Sequence, residues 1–421
     1  MTTSHIAVIS DIHIGPLARS QDLLPPGVNG ISARDEKFIL QFEKFVQAKK
    51  ITADYLVIAG DLSCKAQPDE FIHASTVMSR VANILNVTDD KVMYVPGNHD
   101  VDWAVLNLAG STAGGATQDL RWRQRYDPIT ATENLFIKRT RSGSASSFTG
   151  QLFDLPYAGY WRHGGALFAA VNSAAHDRPA EENHHGFIRH ETIEWLRENV
   201  PPRSEEEEIR CLILHHHLIP HGNLGDEARD FSTCQNGDRL LEVVRQLEFD
   251  IVLHGHKHYP RFQTELVASD HPILVLGAGS FCASLNGYGG GVQNQFHLLT
   301  IEGRSGETGR IFGELRNWAY VHPLGWTENK KVYTVVDHLI GFGGPLNWRE
   351  LVAVLQQPIR AMSASGQIFC LDQVPESKQL RYVSTETARK AIEDIARSEN
   401  LDVTWVDEPH FSAYFRRGSI V

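Results

Sequence analysis

The apolar residues of the first hundred positions fall into two rhythms. HIAVIS (5–10), DYLVIAG (54–60) and KVMYV (91–95) are continuous short runs, as expected of strands buried on both faces. Between them, Phe38, Ile39, Phe42, Phe45 and Val46 recur at helical spacing within 32–48, and Phe71, Ala74, Met78, Val81 and Leu85 do the same. Ser32 and Asp35 are the expected cap of the first helix. The pattern β-α-β-α-β predicts an α/β fold that opens with parallel strands.

Residues 103–150 break this rhythm. GSTAGGA (110–116) and SGSASS (142–147) are loop-like, and RWRQR (121–125) and KRTR (138–141) lie between them. A long insertion at this point is expected to be either a lid over whatever site the preceding strand carries or a disordered surface insertion. Regular structure resumes with strands at ALFAAVN (166–172), RCLIL (210–214), FDIVL (249–253), PILVLG (272–277) and QFHLLTI (295–301). Helices are expected over 190–199 and 237–247. Beyond residue 318, KVYTVV, WRELVAVLQ, GQIFCL, ETARKAIEDIA and LDVTWV predict a smaller α/β appendage. The expected division is therefore 1–318 and 319–421.

Polar clusters stand just past the predicted strands. Asp11 and His13 follow the first, Asp61 the second, and Asn98, His99 and Asp100 the third. His215, His216 and His217 follow RCLIL, and His256 and His258 follow FDIVL. The carboxyl ends of strands in open α/β sheets face one crevice, so five segments are expected to meet there. Residues two apart in extended backbone share a face, so Asp11 with His13 and His256 with His258 could serve one site. Carboxylate, imidazole and amide donors together suit Mn, Fe or Zn better than Ca or Mg. A lone D-x-H is common, but GNHD at 97–100 is expected by chance in only a few per thousand chains of this length. All five in order make coincidence a poor explanation.

Composition narrows the class. A formal charge of −11 disfavours a broad nucleic-acid surface. No apolar run reaches the length of a membrane span. The start MTTSHIAVISDIH enters a strand directly, unlike a signal peptide. Five scattered cysteines indicate neither a disulfide framework nor a cysteine zinc site, which points to a reducing cytoplasm.

SDIH (10–13), GD (60–61), GNHD (97–100), the HHH run (215–217) and GHKH (255–258) resemble the five signature motifs of the calcineurin-like metallophosphoesterases. GFIRHETIEWLREN (186–199) is similar to a stretch of the cyclic-nucleotide-phosphodiesterase-like branch. The resemblance covers roughly residues 5–302 and implies a four-layer sandwich of two mixed sheets flanked by helices. It also implies two divalent metals, Mn or Fe foremost, with Zn as an alternative. Asp11, His13 and His258 would hold one metal. Asn98, His256 and one histidine of the run would hold the other, with Asp61 bridging. The family pattern His-x-Pro, aligned with Leu218 at the proline, selects His216. This chain lacks that proline, so His215 stands as the alternative. His99 would be the catalytic histidine, and Asp100 would orient its neighbours.

The function so implied is hydrolysis of small phosphodiesters, 3′,5′-cyclic nucleotides among them, by a metal-activated hydroxide. Two divalent cations, two carboxylates and one hydroxide leave about one positive charge to attract the anion. The rival readings are a DNA nuclease of the recombination-repair type, a phosphomonoesterase or pyrophosphatase, and a phosphoesterase-like scaffold without activity. GDLSCK (60–65) lacks the Phe-Asp expected after GD in the nuclease branch.

Overall fold

The continuous apolar runs form the centres of two sheets. A computed structural model describes residues 3–30, 33–107, 116–132, 148–176, 185–220, 233–265, 272–285, 292–328, 336–344, 347–406 and 412–417. Strands β1 (Ser4–Ile9), β2 (Tyr55–Ala59) and β3 (Val92–Val95) pair in parallel. Their sheet runs β13-β12-β11-β1-β2-β3, where β11 is Asn294–Arg304, β12 is Ile311–Val321 and β13 is Gly325–Glu328. The second sheet runs β4-β5-β6-β7-β8-β10-β9. Its parallel centre is β6 (Ala166–Val171), β7 (Ile209–Ile213), β8 (Ile251–His254) and β10 (Ile273–Gly277). Antiparallel strands β4 (Phe148–Gln151), β5 (Ala158–His163) and β9 (Arg261–Glu265) cover its edges.

The sheets face each other through contacts such as Tyr55 on Phe168, 4.8 Å between ring centroids. Helices close the outer faces. Helix α1 (Phe38–Lys49) lays Phe38, Phe42 and Phe45 against Phe281, Phe296 and Trp326. Each such buried ring contributes roughly 2–3 kcal/mol, so packing rather than propensity holds this helix. Helix α2 (Pro68–Ile84) begins at a capping box between Gln67 and Glu70. On the second sheet, α4 (His190–Asn199) and α5 (Gly237–Gln246) share one core with β6, β7 and β8 through Ile193, Leu196, Leu240 and Val244. The result is the four-layer α/β sandwich expected, with two mixed sheets.

Helix α1 starts later than the spacing suggested, and its cap is different. Asp22 Oδ2 accepts the Ile39 N–H at 3.2 Å, from a residue distant in sequence. Asp35 lies outside the helix, and Ser32 lies outside the described residues.

The chain divides into two compact units. The larger is Ser4–Leu298 with Asn317–His338, and the smaller is Leu299–Arg316 with Leu339–Val421 plus Met1–Thr3. This differs from a single cut at residue 318, because the long strands β11 and β12 leave the larger unit and return to it. In the smaller unit, β14 (Leu339–Phe342) pairs with β12, and Arg381 meets Glu302 and Glu314. Helices α6 (Trp348–Ser363) and α7 (Thr385–Glu399) pack a core of Leu351, Leu355, Ile359, Ile392 and Ile395. A three-stranded sheet completes it, ordered β15 (Phe369–Cys370), β17 (Ser412–Arg417), β16 (Leu401–Val406). Among the described residues no helix is long and apolar enough to cross a membrane.

The expected lid over 103–150 falls partly outside the described residues, at 108–115 and 133–147. The described middle contributes residues to the core. Helix α3 (Ala116–Gln124) leads into Arg125, Tyr126 and Ile129, all fully buried, and Tyr126 Oη bonds Asn172. Deleting 112–146 would therefore remove the buried Arg125, Tyr126 and Ile129 as well.

Asp22→Ala is expected to lower the unfolding free energy by about 1 kcal/mol, the usual loss for a helix cap. Urea denaturation checks this. A loss below roughly 0.3 kcal/mol would show that Asp22 is not the group that caps α1.

Candidate metal centre

Parallel strands β1, β2 and β8 end in turns that bring polar side chains into one crevice. Asp11, His13, Asp61, His256 and His258 all have positive φ, between 51° and 78°. Hydrogen bonds hold these turned ends together. The Asp11 N–H donates to Gly60 O at 3.1 Å, and Asp61 O accepts from Ile12 and His13 N–H at 2.8 and 2.9 Å. Gly60 itself has φ +94°, and a Cβ there would collide with the His215 ring. At Gly97 a Cβ would collide with the Asp61 carboxylate. The glycines thus make room for ligand-type side chains.

Two clusters share Asp61. In one, Asp11, His13 and His258 bring ligand atoms within 4.8 Å of one another, with Asp11 Oδ1 3.5 Å from His258 Nε2. In the other, the Asn98 amide oxygen lies 3.1 Å from His215 Nε2 and 3.0 Å from His256 Nδ1. Asp61 Oδ2 stands 3.5 Å from His13 Nε2 and 3.3 Å from His215 Nε2, between the two groups. Its other oxygen accepts the His99 N–H at 2.9 Å.

The three histidines of the HHH run differ in their partners. His215 Nδ1 donates to Ala59 O at 2.8 Å, which leaves Nε2 as the nitrogen facing Asp61 and Asn98. His216, the histidine selected from the sequence, turns to Ser173. That hydroxyl accepts its N–H at 3.1 Å and sits 2.9 Å from its Nδ1. His215 belongs to a set with Asp11 and Asp61, and His216 to none of the three tight carboxylate–histidine sets among the described residues. His217 is buried near Thr233 and His254.

The electrostatics suit cation ligands. Burial lowers His13 and His256 well below the usual imidazole range, and lowers His258 as well. These rings are neutral near pH 7, the form that binds metal. Burial works to raise Asp61, yet His215, His99 and His13 together hold it well below the carboxylate range. Burial likewise opposes the charged form of His215, but the Asp61 carboxylate raises it to about 9. Both ring nitrogens of His13 are buried without a hydrogen-bond partner. Orphaned donors of this kind cost about 1–3 kcal/mol unless something binds them. A divalent cation between His13, His258 and the carboxylates fits that vacancy of partners.

His99 and Asp100 differ in role. His99 Nδ1 donates to Cys64 O at 2.9 Å, and its ring stands 4.6 Å from that of His13. Glu70, missed by sequence reasoning, holds this support: its carboxylate accepts from Cys64, Lys65 and Gln67 N–H. A buried glutamate at the third position of a capping box was the signal for it. Asp100 is fully buried and accepts from Ser63 N–H, Gly97 N–H and Tyr94 Oη–H at 2.9, 3.0 and 2.9 Å. Both of its oxygens are engaged in holding the GNHD turn.

Burial, reinforced by Asp61, raises Asp100 to about 6. A carboxyl raised on folding favours the native state below its unfolded value, and that stability is lost as pH rises through about 6. Metal-free Asp100→Asn should therefore lose less stability than the parent between about pH 4 and 6. Denaturation midpoints across that range measure it, and identical slopes would contradict the assignment.

The family model of the calcineurin-like phosphoesterases matches residues 4–260. No curated protein matches significantly. Among solved structures, purple acid phosphatase PPD1 from yellow lupin is 14% identical at TM-score 0.44; the match covers 75% of this chain and 53% of that one. A predicted phosphoesterase of Streptococcus pneumoniae is 13% identical at TM-score 0.29, covering 78% and 97%. The NAD nucleotidase of Haemophilus influenzae is 12% identical at TM-score 0.33, covering 78% and 60%. Identities this low say nothing of substrate. With more than half of its length matched, the chain belongs to the calcineurin-like phosphoesterase family.

Proposed function

We propose that the protein is a two-metal phosphoesterase that cleaves phosphodiester bonds of small substrates, 3′,5′-cyclic nucleotides among them. The observation that carries this reading is the seat of Asp61 Oδ2 between His13 and His215, the position of a bridging carboxylate. One ion would be held by Asp11, His13, His258 and Asp61. The second would be held by Asn98, His215, His256 and Asp61, with His215 taking the place expected of His216. Two such ions, which the donor set suits as Mn, Fe or Zn, would supply Lewis acidity at phosphate oxygens and acidify water near neutral pH.

The chain's own groups do the rest. Asp61 and Asp11 offset cationic charge while keeping the crevice attractive to an anion. His99, tied at Nδ1 to Cys64 O, presents Nε2 to hold or give a proton at a substrate oxygen. Asp100 and Glu70 set the backbone that aims it. His256 and His99 are the least buried members of the set, which suits them to meet a substrate.

A substrate panel on metal-reconstituted protein tests the reading. Hydrolysis of bis(4-nitrophenyl) phosphate and of a cyclic nucleotide is expected, and failure on every diester would overturn the diesterase assignment. His99→Gln should retain both metals and slow turnover by about 10²–10⁴-fold. Loss of metal in that variant would make His99 a ligand instead.

The two histidines are separable. His215→Ala should bind one metal fewer and lose at least about 10²-fold in rate, as expected for removal of a metal ligand. His216→Ala should keep full metal content. Elemental analysis decides between them, and the reverse result would restore His216 as the ligand.

A further inference from the structure

His99 lines a groove of about 430 Å³ together with Lys65, Gln67 and Asp102. In the phosphoesterase reading His99 serves a substrate oxygen, so the group attached to that oxygen enters this groove. The charges on its walls therefore bear on which phosphoesters the site accepts. The loop that carries Lys65 is fixed from within. The Lys65 N–H donates to Glu70 Oε2 at 2.8 Å, and the Lys65 carbonyl accepts from Gln67 Nε2 at 3.1 Å. Ala66, left-handed at φ 55°, donates its N–H to Ser63 Oγ at 3.1 Å. Cys64 is tied to the same glutamate through its N–H and to His99 through its carbonyl. One buried carboxylate thus sets both the imidazole and the backbone of the lysine beside it.

The Lys65 side chain is exposed, and among the described residues its ammonium makes no ion pair or hydrogen bond. Acidic residues outnumber basic ones in this chain, 51 to 40, yet none of the described carboxylates pairs with this lysine. Glu70 spends its hydrogen bonds on backbone N–H groups. Asp102, the acidic wall residue, is turned to its own backbone, with Oδ1 accepting the Ala104 N–H at 2.9 Å. An ammonium on a four-carbon stem is a movable point charge with three donors, suited to a carboxylate or a phosphate.

We infer that Lys65 is a specificity-determining residue that binds a second anionic group, carboxylate or phosphate, on the leaving portion of the substrate. This rests on the phosphoesterase reading and ranks esters with that further charge above those without it. The metals would hold the reacting phosphoryl group, His99 the leaving oxygen, and Lys65 the charge beyond it.

Titration calorimetry of the metal-loaded protein with (4-carboxyphenyl)phosphonate and (4-carbamoylphenyl)phosphonate isolates that charge, because the two ligands share ring and phosphonate. The parent protein should bind the carboxylate about 3–10-fold more tightly, the range of a charge-assisted hydrogen bond open to water. Added salt should shrink the preference. Lys65→Met should reduce the ratio of the two affinities to within about twofold of one, and Lys65→Arg should keep most of it. Unchanged circular dichroism and metal content show that the variants are folded. Equal affinity of the two ligands for the parent, or a preference that survives Lys65→Met, overturns the assignment. Tighter binding of (4-aminomethylphenyl)phosphonate than of either also overturns it, since Asp102 would then set the charge of the groove. Failure of the underlying reading shows separately, as no turnover of bis(4-nitrophenyl) phosphate by the same preparation.

Discussion

The site depends on strand ends held in left-handed backbone. Asp11, His13, Asp61, His256 and His258 all adopt positive φ, a conformation that costs a non-glycine residue roughly 1–2 kcal/mol. Hydrogen bonds between the turned segments offset part of this, notably the Asp61 carbonyl serving both Ile12 and His13. Without these turns the side chains would continue the alternation of their strands, half of them into the sheet interior. With them, residues from β1, β2 and β8 converge on a volume small enough to bind ions. Strain of this kind persists where the surroundings over-determine it, as at binding sites.

Convergence creates an electrostatic problem that bound cations would relieve. Two carboxylates, an amide and several imidazoles are buried together, and burial drives most of the rings neutral. The exception, His215, is raised by Asp61, which shows where positive charge is most wanted. The supports reach outward in order: Glu70 holds the loop at Cys64, Cys64 holds His99, and Asp100 holds the turn that presents Asn98 and His99. Arg125 extends the same scaffold to Trp103.

Much of this was legible in the chain. The continuous apolar runs gave the parallel centres of both sheets, and the polar groups past their ends are those the structure brings together in one crevice. The spacing of Asp11 and His13 was informative for a different reason than extended alternation, since both residues are left-handed. The choice within the HHH run was not legible. Neighbouring residues point apart, and only the bond from His215 to Ala59 and that from His216 to Ser173 reveal which faces Asp61. Edge strands β4, β5 and β9 were missed because short, half-exposed segments carry little apolar periodicity. The basic cluster at 121–125 lay in the expected insertion, yet Arg125 is fully buried with two indoles beside it. Charge in sequence does not reveal an aromatic partner such as Trp103, which comes from elsewhere in the chain.

The central claim is that these strand ends form one centre for two ions sharing Asp61. Elemental analysis of the protein after loading with Mn²⁺ and removal of excess metal measures it most directly. The account predicts a ratio of about two ions per chain, from the two donor sets that meet at Asp61. A ratio near zero would contradict it, and a ratio near one would break the claim that Asp61 joins two sites.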